Sequence, residues 1–148
     1  LKLDMLSSNA TVEGDGTGLA GLFDGLGGGK HWHSNYSGSV IDPVYGHYID
    51  FALPNAIQYF AFDFWTRYEN ANGAPTTVTL YTSNDGATWT KWVNINMSLT
   101  SGNEEYNSSV FKSEETFKYL RFSVTESNAG NVTNGAYWNC GEMKIYGE

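Results

Sequence analysis

Apolar and polar residues alternate over short stretches of this chain, and clusters of Gly, Asn, Ser and Thr separate those stretches. Successive side chains of an extended strand point to opposite faces, so a period of two marks a half-buried strand. The clearest case is Phe60, Phe62 and Phe64, three rings on one face of a strand predicted over residues 56–67. The same reading predicts strands over 46–53, 76–82, 88–93, 107–111, 118–125 and 142–146. Between two of them sits Ser83-Asn84-Asp85-Gly86, a hairpin signal because Asn, Asp and Gly tolerate positive φ. No window sustains a 3.6-residue apolar period long enough for a major helix. Many short strands with turn signals between them predict an all-β sandwich or barrel, with Trp32, Trp65 and Trp89 in its core.

The length of 148 residues, with no internal repeat or linker, predicts one domain over residues 1–148 with one sizeable core. A composition of 41% hydrophobic and 16% charged residues, with five Trp, ten Tyr and eight Phe, excludes disorder. Charge then narrows the partners. Eight basic against sixteen acidic residues give a net charge of −8, with no basic cluster to displace counterions from phosphates. That excludes nucleic acid and anionic membrane surfaces and favours a neutral ligand. Cys140 is the only cysteine, so there is no intrachain disulfide and no cysteine-based zinc cluster. It reads as a small buried strand residue. No apolar stretch approaches the roughly 18 residues of a membrane span. The first residue is Leu1 rather than Met, which predicts a piece excised from a longer protein.

Several motifs carry less than their letters suggest. Gly16-Thr17-Gly18-Leu19-Ala20-Gly21 matches G-x-G-x-x-G, yet a dinucleotide site needs a strand before it and a helix after it. Neither is predicted. Gly29-Lys30 resembles the end of a phosphate loop, but Asp24 and His31 stand where the first Gly and the Ser/Thr belong. Glycoside hydrolysis needs two carboxylates roughly 5–9.5 Å apart across a cleft. Glu104-Glu105 and Glu114-Glu115 read instead as solvated loop residues, and no Gly-x-Ser-x-Gly elbow is present. The chain is therefore expected not to be an enzyme. A zinc site on His31, His33 and His47 lacks a fourth ligand.

From Leu22 onward the chain resembles the F5/8 type C (discoidin-like) family, and within it the family 32 carbohydrate-binding modules. The resemblance is carried in order by Leu22-Phe23-Asp24-Gly25, His31-Trp32-His33-Ser34, Gly46-His47-Tyr48-Ile49-Asp50-Phe51 and Tyr81-Thr82-Ser83-Asn84-Asp85-Gly86-Ala87-Thr88-Trp89. Tyr119-Leu120-Arg121-Phe122 and Cys140-Gly141-Glu142-Met143-Lys144-Ile145-Tyr146-Gly147 complete it. It implies a jelly-roll β-sandwich that holds its ligand in loops at one end. It also implies a monomeric module of a larger bacterial glycan-degrading protein, outside the cytoplasm, in the periplasm or on the cell surface.

Galactose-binding members use a His with an aromatic three residues on, an Arg with an Asn five residues on, and a late-loop aromatic. His33 and Tyr36, Arg67 and Asn72, and Tyr137 or Trp138 match these positions, with Asn35 assisting. The chemistry suits a neutral sugar: a guanidinium fork and amides for hydroxyls, aromatic faces for ring C–H groups. Each has a plainer reading. His33 can be structural, Arg67 can pair with Glu69, Asn72 can be a turn residue, and the late aromatics can pack a loop. The resemblance also implies a structural Ca²⁺ on Asp24 and Glu142, completed by backbone carbonyls between Phe23 and Gly29. Leu26 and Gly29 replace two side chains that relatives use there. The rival to sugar binding is a structural or adhesive accessory domain of a glycoside hydrolase.

Overall fold

The computed structural model describes residues 1–26, 30–35, 42–134 and 136–148. Among them run ten strands: β1 (Leu6–Ser8), β2 (Trp32–His33), β3 (His47–Trp65), β4 (Pro75–Ser83) and β5 (Thr90–Asn96), then β6 (Glu105–Asn107), β7 (Phe111–Ser127), β8 (Gly130–Asn131), β9 (Asn139–Cys140) and β10 (Glu142–Gly147). Two single-turn 3-10 helices, Leu3–Met5 and Leu19–Leu22, are the only helical segments described. No helix there is long and apolar enough to cross a membrane.

Every ladder is antiparallel. The first layer has the order β1-β3-β7-β4-β5 and takes the first half of β3, with Ile49 opposite Phe122 and Phe51 opposite Leu120. Register shifts between Ala52 and Ile57, and again before Tyr59, bend β3 into a second layer. There Phe60 to Trp65 pair with β10, and Asp63 to Trp65 also pair with β6. β7 makes the same passage, because Phe111, Lys112 and Phe117 face the second half of β3. Both long strands thus serve both layers of an all-β jelly-roll sandwich.

The two strands predicted over 46–53 and 56–67 are therefore one bent strand. The strand predicted over 107–111 is instead the break between β6 and β7, where Phe62 N–H donates to Ser108 Oγ at 2.8 Å. The prediction over 118–125 began late, since the polar run from Lys112 to Thr116 hides the start of β7. Of the acidic pairs, Glu105, Glu114 and Glu115 stand exposed on strands rather than in loops. Glu104 caps a turn by accepting from Thr100 and Ser101 N–H at 2.7 and 2.8 Å.

Phe60, Phe62 and Phe64 are buried with Ile49, Phe51, Leu80, Phe117, Leu120 and Phe122. Phe62 meets Phe122 edge-on at 5.3 Å. Cys140 is buried, and Trp32 is a core residue as expected. Trp65 and Trp89 are not. Trp65 is out of phase with Phe64 and carries Lys144 Nζ 5.0 Å from its ring, while Trp89 lies on an outer face with the Arg121 guanidinium at 4.2 Å. Trp138 joins Trp32 in the core instead, their rings 4.4 Å apart.

His47 is a conspicuous member of this interior. It is buried, and neither ring nitrogen has a hydrogen-bond partner among the described residues. Burial lowers its pKa below the ordinary 6.5. Burial, with Arg67 adding to it, lowers His31 likewise. Such groups bind protons more readily in the unfolded chain, so stability is full above 6.5 and declines as pH falls from there toward the folded values. The urea midpoint is expected to drop between about pH 8 and about pH 5, and His47→Leu is expected to reduce that drop. Denaturation of both proteins at the two pH values checks it, and equal drops would remove His47 as a contributor.

Candidate functional site

The short β2–β9 ladder, Trp32 opposite Cys140 and His33 opposite Asn139, stands at one end of the sandwich. The glycine-rich segment before it runs alongside: Glu13 N–H donates to the His33 carbonyl at 3.3 Å, and Thr17 N–H to that of His31 at 2.8 Å. The G-x-G-x-x-G motif is therefore scaffold, not phosphate loop. This lacing brings Asp15 against Arg67, which follows the end of β3 by two residues. Asp15 Oδ2 is 3.3 Å from Arg67 Nη1 and 3.9 Å from His31 Nε2. Glu69 Oε2 is 3.4 Å from Arg67 Nε. Two carboxylates thus hold one guanidinium, whose side chain remains 18% exposed.

Beyond His31 the line continues through His33, ring centroids 6.1 Å apart, to Tyr137. His33 is fully buried, with Nδ1 2.6 Å from the Ser34 carbonyl, and its ring stacks on Tyr137 at 4.9 Å. Tyr137 in turn touches the 70–73 turn. Gly73 has φ +79°, and a Cβ there would stand 2.7 Å from Tyr137 Cε2, so only glycine fits. The buried Asn139 anchors this turn through Nδ2 to the Asn72 carbonyl at 2.7 Å and through N–H to the Gly73 carbonyl at 3.1 Å.

The structure thus brings Arg67, Tyr137 and the Asn72 backbone to one end of the fold, with His33 behind them. At 0% exposed, His33 does not offer its ring to a ligand, contrary to the sequence expectation, and serves instead as the support on which Tyr137 stacks. The Asn72 side chain is exposed, and Asn35 is half-buried, donating through Nδ2 to Thr11 Oγ1. Tyr36 lies outside the described residues. Trp138 does not belong to the site. It is 1% exposed, donates through Nε1 to the His47 carbonyl at 3.0 Å and packs on Trp32, so no ring face is left for a ligand. Asp15 is a site residue that the sequence reading does not reach; its one signal is an acid between Gly14 and Gly16, just ahead of the G-x-G-x-x-G run.

A second cluster sits where β10 begins. Glu142 is buried and accepts from Gly25 N–H at 3.1 Å, while Asp24 Oδ1 accepts from Leu26 N–H at 2.9 Å. Burial first, and then the neighbouring Asp24 carboxylate, raise the Glu142 pKa against the pull of Gly25 N–H. Two carboxylates forced together in this way suit a divalent cation. Of the carbonyls expected to complete the shell, those of 27–29 lie outside the described residues. His31, His33 and His47 form no metal-holding group, nor do any three His, Cys, Asp or Glu among the described residues.

Residues 6–143 match the F5/8 type C domain, and the chain belongs to that family. No curated protein sequence matches it. Among solved structures it is similar to the third family 32 carbohydrate-binding module of a family 31 glycoside hydrolase from Clostridium perfringens. That match has 22% identity and a TM-score of 0.74, over 100% of this chain and 94% of the other. A module of the C. perfringens family 89 enzyme, in complex with GalNAc-β-1,3-galactose, matches at 18% identity and TM-score 0.68, over 97% and 96%. The family 32 module of C. perfringens NanJ, in complex with galactose, matches at 15% and 0.65, over 96% and 93%. These likenesses establish the sandwich fold.

The assignment of the two late aromatics separates by stability. Trp138→Ala is expected to cost about 3–5 kcal/mol, the cost of emptying a core site of a large ring. Tyr137→Ala, at a half-buried position, is expected to cost nearer 1 kcal/mol. Urea denaturation of the two variants measures both, and equal costs would reverse the assignment.

Proposed function

We propose that this chain is a non-catalytic module that binds a galactose-type sugar, galactose or N-acetylgalactosamine, at the end of a neutral glycan. The observation that carries the reading is the continuous line Arg67–Asp15–His31–His33–Tyr137–Gly73 across one end of the sandwich. In this reading Asp15 and Glu69 aim the guanidinium, and Arg67 donates to two vicinal hydroxyls of the sugar. Asn72 supplies a further donor and acceptor, and His33 holds Tyr137 so that the phenol covers the C–H face of the ring. Asn35 adds a further amide in this reading, and Tyr36, which lies outside the described residues, is the remaining aromatic that the sequence resemblance offers. The sugar complexes of the two similar C. perfringens modules support this choice of ligand. A single sugar in so open a site binds with a Kd of roughly 0.1–1 mM, or about −4 to −5.5 kcal/mol. Several modules or several glycan ends raise this by avidity. Such a module works outside the cytoplasm, attached to a protein that acts on glycans.

The test is an NMR titration of labelled protein with galactose, N-acetylgalactosamine, N-acetylglucosamine and glucose. Shifts are expected in the loops of Arg67, Asn72 and Tyr137 with the first two sugars, with loss of binding in Arg67→Ala at an unchanged fold. Asp15→Asn is expected to weaken binding about tenfold by freeing the guanidinium to swing. The ion pairs of Arg67 with Asp15 and Glu69 also suit a purely structural domain. That reading gains if no sugar at millimolar concentration shifts these loops.

The same reading places a structural Ca²⁺ between Asp24 and Glu142. Added Ca²⁺ is then expected to raise Tm in the parent and to leave Glu142→Gln unchanged, since an ion that binds only the folded state stabilises it by mass action. A thermal melt with Ca²⁺ and with a chelator reads this directly, and identical curves in the parent would sink the cation.

A further inference from the structure

A second opening lies at the far end of the sandwich. β4 runs from Pro75, near the Arg67 loop, to Ser83, so the 84–89 hairpin and the start of β7 stand away from the site described above. Between them is a groove of about 900 Å³, within the ~300–1,000 Å³ range of small-ligand sites. Its floor is the half-buried Trp92, packed on Phe117 at 5.2 Å and on Phe111 at 6.1 Å. Lys91 and Thr90 of β5 line one wall, and Lys112 and Glu114 of β7 the other.

The walls are braced by other groups. Asn84 Nδ2 donates to the Thr116 carbonyl at 3.1 Å, and Asp85 Oδ1 accepts from Ala87 and Thr88 N–H at 2.8 and 2.7 Å. Lys112 rests over Tyr59, its Nζ 5.4 Å from the ring. The side chains of Lys91, Thr90 and Glu114 are exposed, and none enters a hydrogen bond or ion pair among the described residues.

The groove therefore offers donors and acceptors side by side, unpaired with one another, above an aromatic floor. An apolar ligand would leave these groups without partners. An anionic one would approach a protein of net charge −8 against its field. A ligand that presents its own alternating donors and acceptors, with C–H faces between them, satisfies both walls and floor. We propose that this groove binds a short neutral oligosaccharide and is a second glycan site, independent of Arg67. Two sites at opposite ends would let one module bridge two glycan chains and gain avidity from both.

Labelled full chain titrated with lactose, cellotriose, xylotriose, mannotriose and chitotriose tests this. At least one of these is expected to shift amides of 82–92 and 112–117, equally so in Arg67→Ala. Lys112→Ala combined with Glu114→Ala is expected to weaken that binding at least about tenfold. Thr90→Val, read in the same way, serves if the double variant fails to fold. The proposal is overturned if none of the five sugars moves the groove, or if the groove shifts survive these substitutions unchanged. It is equally overturned if they vanish in Arg67→Ala, because a single loop-end site would then account for them.

Discussion

The structure depends on the passage of β3 from one layer of the sandwich to the other. Its first half pairs with β1 and β7, its second half with β10 and β6, and the register shifts between Ala52 and Tyr59 join them. Because β7 makes the same passage, Ile49 and Phe51 of one layer and Phe60, Phe62 and Phe64 of the other all turn toward one interior. Each such side chain contributes about 1.5–3 kcal/mol when taken out of water, so the bend organises much of the stability. It also sets direction. Only a strand that leaves the second layer at Trp65 delivers Arg67 beside the β2–β9 ladder, and only β10 paired to that same stretch brings Glu142 to Asp24.

The two arginines of this acidic chain show how similar partners serve different ends. Arg121 is nearly buried on the outer face of the first layer. It makes a bidentate pair with Asp50 at 2.7 and 2.8 Å and stacks on Tyr48 at 3.6 Å. Its guanidinium is covered on its faces and satisfied on one edge, an arrangement that fixes β3 to β7. Arg67 has two separate acids at 3.3 and 3.4 Å, neither bidentate, and keeps part of its side chain in solvent. A guanidinium oriented but not saturated is suited to take further acceptors. The contrast comes from position: Arg121 lies mid-strand between aromatic neighbours, Arg67 in a loop.

Much of this was legible in the sequence because strand periodicity is a local signal. Phe60, Phe62 and Phe64 reported their face correctly, and Ser83 to Gly86 form the turn their chemistry predicts, with Ser83 Oγ accepting from Gly86 N–H at 2.9 Å. What was not legible depends on packing. Trp65, Trp89 and Trp138 are alike by composition, yet two lie outside carrying cations and one is in the core. Only phase relative to Phe64 and the contacts of the β9 strand decide between them. Asp15 was missed for the same reason: it meets Arg67 across a separation of 52 residues, which no spacing rule reaches. The continuity of β3 was hidden because Leu53-Pro54-Asn55-Ala56 reads locally as a turn.

The loop end must then hold its geometry without a regular sheet beneath every residue, and buried polar groups make up the difference. Asn139 is fully buried and spends its amide on the Asn72 carbonyl, while Ser34 accepts from Trp138 N–H at 2.9 Å and donates its own N–H to the Trp138 carbonyl at 3.0 Å. Buried hydrogen bonds of this kind stabilise modestly when made and cost more when broken, so they favour one loop arrangement over its neighbours. A site that captures one sugar ring has little contact area from which to offset the ordering of its own loops. On the proposed reading, ordering them during folding, through Asn139 and Ser34, removes that cost from the binding step. The core tryptophan beside Tyr137 contributes by the same route: packed on Trp32 and hydrogen-bonded to the His47 carbonyl, it fixes the backbone from which the neighbouring phenol projects.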